Sequence, residues 1–178
     1  MKGLHRLIFS LFEFFLDCPR FHFKSSTLNF NYLSVMLSKK TKYGLKALAY
    51  LGNQKDRKPV QISEISAHEN ISQKFLESIL LSLRKSGFLS SKKGKGGGYY
   101  LLKNPDQIYM TDVMRVLEGP IAMVPCVSLN FYESCDDCPD EARCSVHKLM
   151  LQVRDSALTV YRNNTLQDIL CDTPKDVK

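Results

Sequence analysis

The stretch Ile71–Tyr99, ISQKFLESILLSLRKSGFLSSKKGKGGGY, decides the fold. Its first half carries Phe75, Leu76, Ile79, Leu80 and Leu83 at three- and four-residue steps, which predicts one apolar face of a helix. Ser72 stands where an N-cap belongs, with a hydroxyl able to accept from the amides of the first turn. Gly87 closes the helix behind Arg84 and Lys85, two cations that its C-terminal dipole favours. The second half reads as a hairpin, with strand-like runs at Phe88–Lys93 and Tyr99–Leu102 around Gly94-Lys95-Gly96-Gly97-Gly98. Glycines there permit positive φ and close approach of backbone to another surface. A nucleotide-phosphate loop requires a helix after the glycines and a closing Lys-Ser/Thr, whereas Tyr99-Tyr100-Leu101-Leu102 reads as strand.

Working upstream, Ile62, Ile65 and Ala67 predict a brief helix, and His68-Glu69-Asn70 a turn. Two helices joined through a turn make a helix-turn-helix layout. A basic glycine hairpin directly after it is a wing, suited to lie along phosphates or in a minor groove. Before it, Gly44, Ala47, Leu48 and Leu51 recur at helical spacing, Lys39, Lys40 and Lys42 crowd the first turns, and Gly52-Asn53 can stop the helix. The predicted fold class is mainly α with a small β-wing: a winged helix-turn-helix over 36–104, followed by a long C-terminal dimerisation helix.

Charge follows this division. Net charge is +7, but residues 36–103 hold 14 Lys/Arg against 4 Asp/Glu, while residues 104–178 hold 7 basic against 12 acidic. One part of the chain is built to meet a polyanion and the other is not.

Beyond Asn104-Pro105, Thr111 can cap a short helix through Val113, Met114, Val116 and Leu117, ended by Gly119-Pro120. From Ser145 onward, Val146, Leu149, Met150, Val153, Ala157 and Val160 form one stripe over four turns. The winged domain offers little for this stripe to cover, so a two-fold dimer helix over 145–165 is expected ahead of packing within one chain. Residues 166–178 read as a polar tail.

Between them, residues 105–144 hold a cysteine-rich loop. Cys126, Cys135, Cys138 and Cys144 fall within nineteen residues, whereas residues 19–125 contain no cysteine. A secreted disulfide framework would spread its cysteines through the fold; this cluster reads as metal or redox chemistry. Thiolates suit iron–sulfur and zinc centres. Cys135-x2-Cys138 with Cys144 and His147 could close a zinc tetrahedron without Cys126. Neighbouring thiols could instead switch without metal by forming a disulfide. Asp136, Asp137, Asp140 and Glu141 surround the thiols, and their charge is expected to raise thiol pKa values. A Cys144/His147 nucleophile pair lacks an accompanying oxyanion or substrate pattern, so an enzyme is not expected.

The first 35 residues stand apart, with seven of the ten phenylalanines and the apolar run Leu7–Leu16. Glu13 interrupts that run, no small-x-small cleavage site follows, and ten residues cannot span a bilayer. Met36 directly precedes the first patterned helix, and translation is expected to begin there; the alternative is an aromatic arm docked on the body.

Taken together, Lys42-Tyr43-Gly44-Leu45, Ile71-Ser72-Gln73-Lys74-Phe75-Leu76, Leu83-Arg84-Lys85-Ser86-Gly87, Gly94-Lys95-Gly96-Gly97-Gly98-Tyr99, Glu118-Gly119-Pro120 and Cys138-x5-Cys144-x2-His147 resemble the IscR, NsrR and CymR group of small bacterial winged-helix regulators, also called Rrf-type. The resemblance covers about residues 36–170. It implies a cytoplasmic homodimer on a partly palindromic double-stranded DNA operator, with no membrane association, and a cysteine loop that senses iron–sulfur, redox or nitric-oxide status. By position it carries the recognition contacts to Ser72, Gln73 and Lys74, the phosphate contacts to Ser38, Lys40, Lys42 and Tyr43, and the wing contacts to Lys92, Lys93, Lys95, Gly96 and Gly97. Gln73 is of a type that can read an adenine edge.

The metal set implied is Cys126 with Cys135 or Cys138, Cys144 and His147, holding an iron–sulfur cluster of the 2Fe-2S type, with zinc or no metal as alternatives. Cluster-binding members space three cysteines five residues apart, and here the first departs: eleven residues separate Cys126 from Cys138, and eight separate it from Cys135. Regulation through a partner protein in place of a cofactor is the remaining alternative.

Overall fold

A computed structural model describes residues 37–172 other than residue 139; the expected start at Met36, the aromatic segment before it and the last six residues lie outside the described part. Eight regular elements follow in order: α1 (Lys39–Gly52), α2 (Ile62–Glu69), α3 (Gln73–Lys85), β1 (Leu89–Lys92), β2 (Gly98–Leu101), α4 (Met110–Leu117), α5 (Ser145–Asn163) and α6 (Leu166–Asp172). Short 3-10 turns at Lys55–Arg57, Pro105–Gln107, Pro125–Val127 and Glu141–Arg143 join them. The described residues are mainly helical with one small antiparallel sheet, a winged helix-turn-helix.

Helix α3 is the centre of the core. Leu76, Ile79, Leu80 and Leu83 have no exposed surface, and they meet Ala47, Leu48 and Leu51 of α1 and Ile65 of α2. The apolar stripe read from the sequence is therefore the face that holds the recognition helix in place, while Ser72, Gln73 and Lys74 at its start are exposed. The turn into α3 passes through Asn70 at φ 53, a left-handed conformation that asparagine tolerates. A Schellman arrangement ends α3: the Phe88 N–H donates to the Leu83 carbonyl at 3.0 Å, and the N–H of Gly87, at φ 77, donates to the Arg84 carbonyl at 3.1 Å.

At the other end of α3 the expectation for Ser72 needs correction. Ser72 is the N-cap residue, but its side chain makes no cap bond; its carbonyl accepts from Phe75 and Leu76 instead, and the hydroxyl stays on the exposed surface. Thr111 is corrected as well. Helix α4 starts earlier, at Met110 after Tyr109, because a bridge between Tyr109 and Thr165 fixes its entry, and Thr111 sits buried inside the helix.

The wing pairs Leu89 with Leu101, Ser90 with Tyr100, Ser91 with Tyr99 and Lys92 with Gly98. Val60, ahead of α2, exchanges two backbone hydrogen bonds with Tyr99 at 2.9 and 2.8 Å, tying the wing to the helix-turn-helix. This approach explains Gly98. Its φ is +154, and a Cβ there would collide with the Val60 carbonyl. Gly98→Ala should therefore lower stability by about 2–4 kcal/mol through combined overpacking and backbone strain. Denaturant unfolding of the variant checks this; a midpoint matching the unsubstituted chain would show that the backbone yields at little cost.

The polar tail expected over residues 166–178 is also different. Residues 166–172 form α6, with Leu166 fully buried and Leu170 7% exposed in the same core as α1. The Leu166 N–H donates to the Ile108 carbonyl and the Met110 N–H to the Asn164 carbonyl, so the chain returns from α5 to the winged domain. Helix α5 behaves otherwise. Only Leu158 is buried, and Val146, Leu149 and Val160 are each more than half exposed. No helix among the described residues is long and apolar enough to cross a membrane.

Candidate nucleic-acid interface and cysteine loop

Two surfaces carry the predicted site residues. The first is basic. Gln73 and Lys74 begin α3, and Tyr43 of α1 stacks edge-on against Phe75 at 5.8 Å between ring centroids, bringing the start of α1 beside the start of α3. Lys42 is exposed and Lys40 half-buried on that helix. Lys92, Lys93, Lys95 and Gly96 are exposed on the wing. Gly97 is buried in the turn, where its N–H donates to the Gly94 carbonyl at 2.9 Å, which closes the tip and leaves the outward positions to the lysines.

Ser38 caps α1, accepting from the Thr41 N–H at 3.1 Å. It also donates its hydroxyl to Glu118 at 2.8 Å, and the buried Thr41 hydroxyl donates to the same carboxylate oxygen. Burial works against the ionised Glu118, but these hydroxyl bonds outweigh it and hold the carboxyl below its ordinary range. The start of the first helix is thus tied to the residue just before Gly119-Pro120, where the chain leaves for the cysteine loop. Sequence reading singled out both ends of this link without connecting them, because 80 and 77 residues separate the partners.

The second surface is the loop itself. Arg154 of α5 donates to the Val127 carbonyl at 2.7 Å and so anchors the 3-10 turn that carries Cys126. Asp140 caps the turn Glu141–Arg143, and Cys144 then caps α5, its sulfur accepting from the His147 N–H at 3.4 Å. These local caps bring the loop's two ends together. Cys126, Glu141 and His147 have donor atoms all within 4.8 Å of one another. Cys138 hydrogen-bonds to Cys144 as a neighbouring pair, and Cys135 is exposed at the edge. His147 is therefore grouped with Cys126 and Glu141. Glu141, read from the sequence only as a nearby charge, is the residue that reading missed. Its nearness to Cys126 follows from loop folding, for which no periodic signal exists.

The thiols differ in ionisation. Partial burial and then the Glu141 carboxylate push Cys126 above its ordinary range. Burial and the bond to Cys144 raise Cys138. Cys144 is lowered instead, first by the backbone N–H of His147 at the start of α5. The expectation that surrounding acids raise thiol pKa values is met at Cys126 through Glu141 and gives way at Cys144, which sits on a helix N-terminus.

Residues 37–172 match the family profile Rrf2, described as an iron-dependent transcriptional regulator. The chain belongs to the Rrf2 family. It is 42% identical over 138 residues to an rrf2-like HTH-type transcriptional regulator of Rhodobacter capsulatus, covering 76% of this chain and 92% of that protein. It is 32% identical to the HTH-type transcriptional regulator CymR of Bacillus subtilis, covering 75% and 88%. The solved structure of B. subtilis CymR superposes with a TM-score of 0.64 over 78% of this chain and 98% of that one, at 32% identity. That of IscR from T. potens gives 0.61 over 80% and 90%, at 27% identity. This Rrf2 chain is accordingly a DNA-binding transcriptional regulator and not an enzyme.

Proposed function

We propose that this Rrf2 regulator acts in the cytoplasm as a homodimer on a partly palindromic operator, and that a metal centre in the loop 126–147 sets its activity. The observation that carries the DNA reading is the exposed Ser72-Gln73-Lys74 start of α3 together with an exposed wing tip bearing Lys92, Lys93 and Lys95. In this arrangement Ser72, Gln73 and Lys74 enter the major groove. Ser38, Lys40, Lys42 and Tyr43 meet the backbone on one side, and the wing lysines with Gly96 and Gly97 meet it on the other. The dimer is supported by α5, whose stripe Val146, Leu149, Met150, Val153, Ala157 and Val160 has no buried member within one chain. Pairing two such helices about a two-fold axis covers them.

The loop's donor chemistry fits a metal centre. It offers soft thiolates and one imidazole, and the His147 Nδ1 is buried with no hydrogen-bond partner. An iron–sulfur cluster held by Cys126, Cys135 or Cys138, Cys144 and His147 would supply a redox-responsive group that oxygen or nitric oxide can attack. Zinc is the second reading, favoured by the compact sulfur–oxygen–nitrogen set of Cys126, Glu141 and His147. Cys144 is both a thiol donor and the cap of α5, so a change at the centre reaches the start of the dimer helix directly.

Protein purified without air tests this through its visible spectrum, its iron, sulfide and zinc content, and its operator affinity before and after metal removal. The expected result is a coloured protein with iron and sulfide in equal amounts and different affinities in the two states. Colourless protein with stoichiometric zinc selects the second reading, and the same affinity in both states contradicts metal control. Under the cluster reading, Cys144→Ala should abolish cluster binding while leaving basal, non-specific DNA binding intact, because the winged domain has its own core.

A further inference from the structure

We propose that Glu141 is itself a metal ligand, its Oε2 joining Cys126 Sγ and the His147 imidazole on one metal ion of the loop centre. This rests on the second reading above, a single divalent ion in the loop, and it assigns a ligand that cysteine spacing does not contain.

Four observations converge on it. The three donor groups lie within 4.8 Å of one another although 15 and 6 residues separate them in the chain. His147 is 15% exposed, and its Nδ1 is buried without a partner; the nearest carboxylate oxygen, Glu141 Oε2, is 3.9 Å away. That is too long for a hydrogen bond, which needs about 3.2 Å or less. It is a few tenths of an ångström longer than the separation of a nitrogen and an oxygen donor on one tetrahedral ion, roughly 3.3–3.6 Å for metal–ligand distances of ~2.0–2.2 Å. The two groups make only a loose contact that a small closure would bring to co-ligand distance.

The carboxylate is also held as ligating carboxylates are held. The Tyr132 hydroxyl donates to Oε1 at 2.8 Å, which leaves Oε2 for His147 and Cys126. An outer hydrogen bond of this kind orients a metal-binding carboxylate and tunes its donor strength. The neighbouring acid is used differently: Asp140 accepts from the Ala142 N–H at 3.0 Å and pairs with Arg143 at 3.2 Å. A set of one sulfur, one oxygen and one nitrogen suits a borderline divalent cation, Zn²⁺ or Fe²⁺, and three protein donors leave a fourth position for a non-protein ligand. The Cys138–Cys144 pair remains beside it as a second thiolate source.

Cobalt(II) binding to the reduced, metal-free full chain tests the assignment, with absorption reporting the donor set and zinc competition reporting affinity. The unsubstituted chain should show a thiolate-to-cobalt charge-transfer band and tetrahedral d–d bands. Cys126→Ser should weaken the first. Glu141→Gln, nearly isosteric on an exposed turn, should keep the charge-transfer band, shift the d–d bands, and weaken binding by more than the roughly 10–100-fold that loss of an outer partner costs. Tyr132→Phe should stay within that range with unshifted d–d bands. Glu141→Gln matching the unsubstituted chain in spectrum and affinity overturns the proposal and leaves the loop reading standing. Glu141→Gln behaving as Tyr132→Phe does, with unshifted d–d bands, also overturns it, since Glu141 would then only position His147. No cobalt binding by the unsubstituted chain overturns the single-ion reading and this assignment with it.

Discussion

Binding of the full chain to operator DNA should weaken roughly 10³–10⁵-fold as monovalent salt rises from about 50 to about 200 mM. The size of this effect follows from the lysines. Lys40, Lys42, Lys74, Lys92, Lys93 and Lys95 lie on the α1, α3 and wing surfaces of the chain. A dimer that uses them makes on the order of 6–10 phosphate contacts, each releasing counterions with a slope of about −0.9 in log affinity against log salt. Replacing one wing lysine in both protomers, as Lys95→Ala does, should make the slope shallower by about 2 without changing which sequence is preferred. Affinity measured by fluorescence anisotropy at four or five salt concentrations is sufficient. A slope near zero would mean that the basic face is a solvated surface, and the charge contrast between the two halves of the chain would then have no electrostatic partner.

Leu80→Ala should destabilise the protein by about 2–5 kcal/mol, the usual cost of emptying a fully buried leucine site. Leu80 has no exposed surface and belongs to the core that α3 shares with α1 and α2. The substitution leaves a cavity directly behind the helix that presents Gln73 and Lys74. Specific DNA affinity should fall together with stability, since the exposed residues depend on this buried face for their orientation. Ser78→Ala on the outer face of the same helix is the control, expected within about 0.5 kcal/mol. Chemical unfolding of both variants at one protein concentration separates them, the concentration being held because dimerisation would itself shift the midpoint. A Leu80→Ala midpoint no lower than that of Ser78→Ala would show that α3 is held by something other than its apolar stripe.

The parts of the fold legible in the sequence are those with a local or periodic cause. Helix α3 was readable because four leucine and isoleucine positions repeat on one face, and its end because Gly87 is the residue a left-handed cap requires. The wing was readable from glycines flanked by strand formers. Helix α6 was not: Leu166 and Leu170 are only two buried positions in seven residues, too few for a periodicity, and their partners lie in α1 and near Ile108. Ser72 shows a different limit. Its residue type suits a cap, but whether a hydroxyl turns inward depends on the first-turn geometry, and here the backbone carbonyl alone closes the turn.

The candidate metal site divides in the same way. Cys144 and His147 are one helical turn apart, and their proximity follows from spacing. Cys126 and Glu141 reach them through loop folding held by Arg154, Asp140 and Tyr132. Contacts of that kind leave no pattern along the chain, which is why spacing left Cys135 and Cys138 as alternatives beside Cys126 and gave Glu141 only as a nearby charge.

The central claim is that α3 and the wing read a particular DNA sequence as a two-fold pair, and selection from a library of random duplexes tests it most directly. The predicted result is one enriched site of two inverted half-sites, their centres about 34 Å or a multiple of that apart, with Gln73→Ala relaxing the preference at one base pair in each half. Equal recovery of all sequences, or enrichment of a single unrepeated half-site, would contradict it.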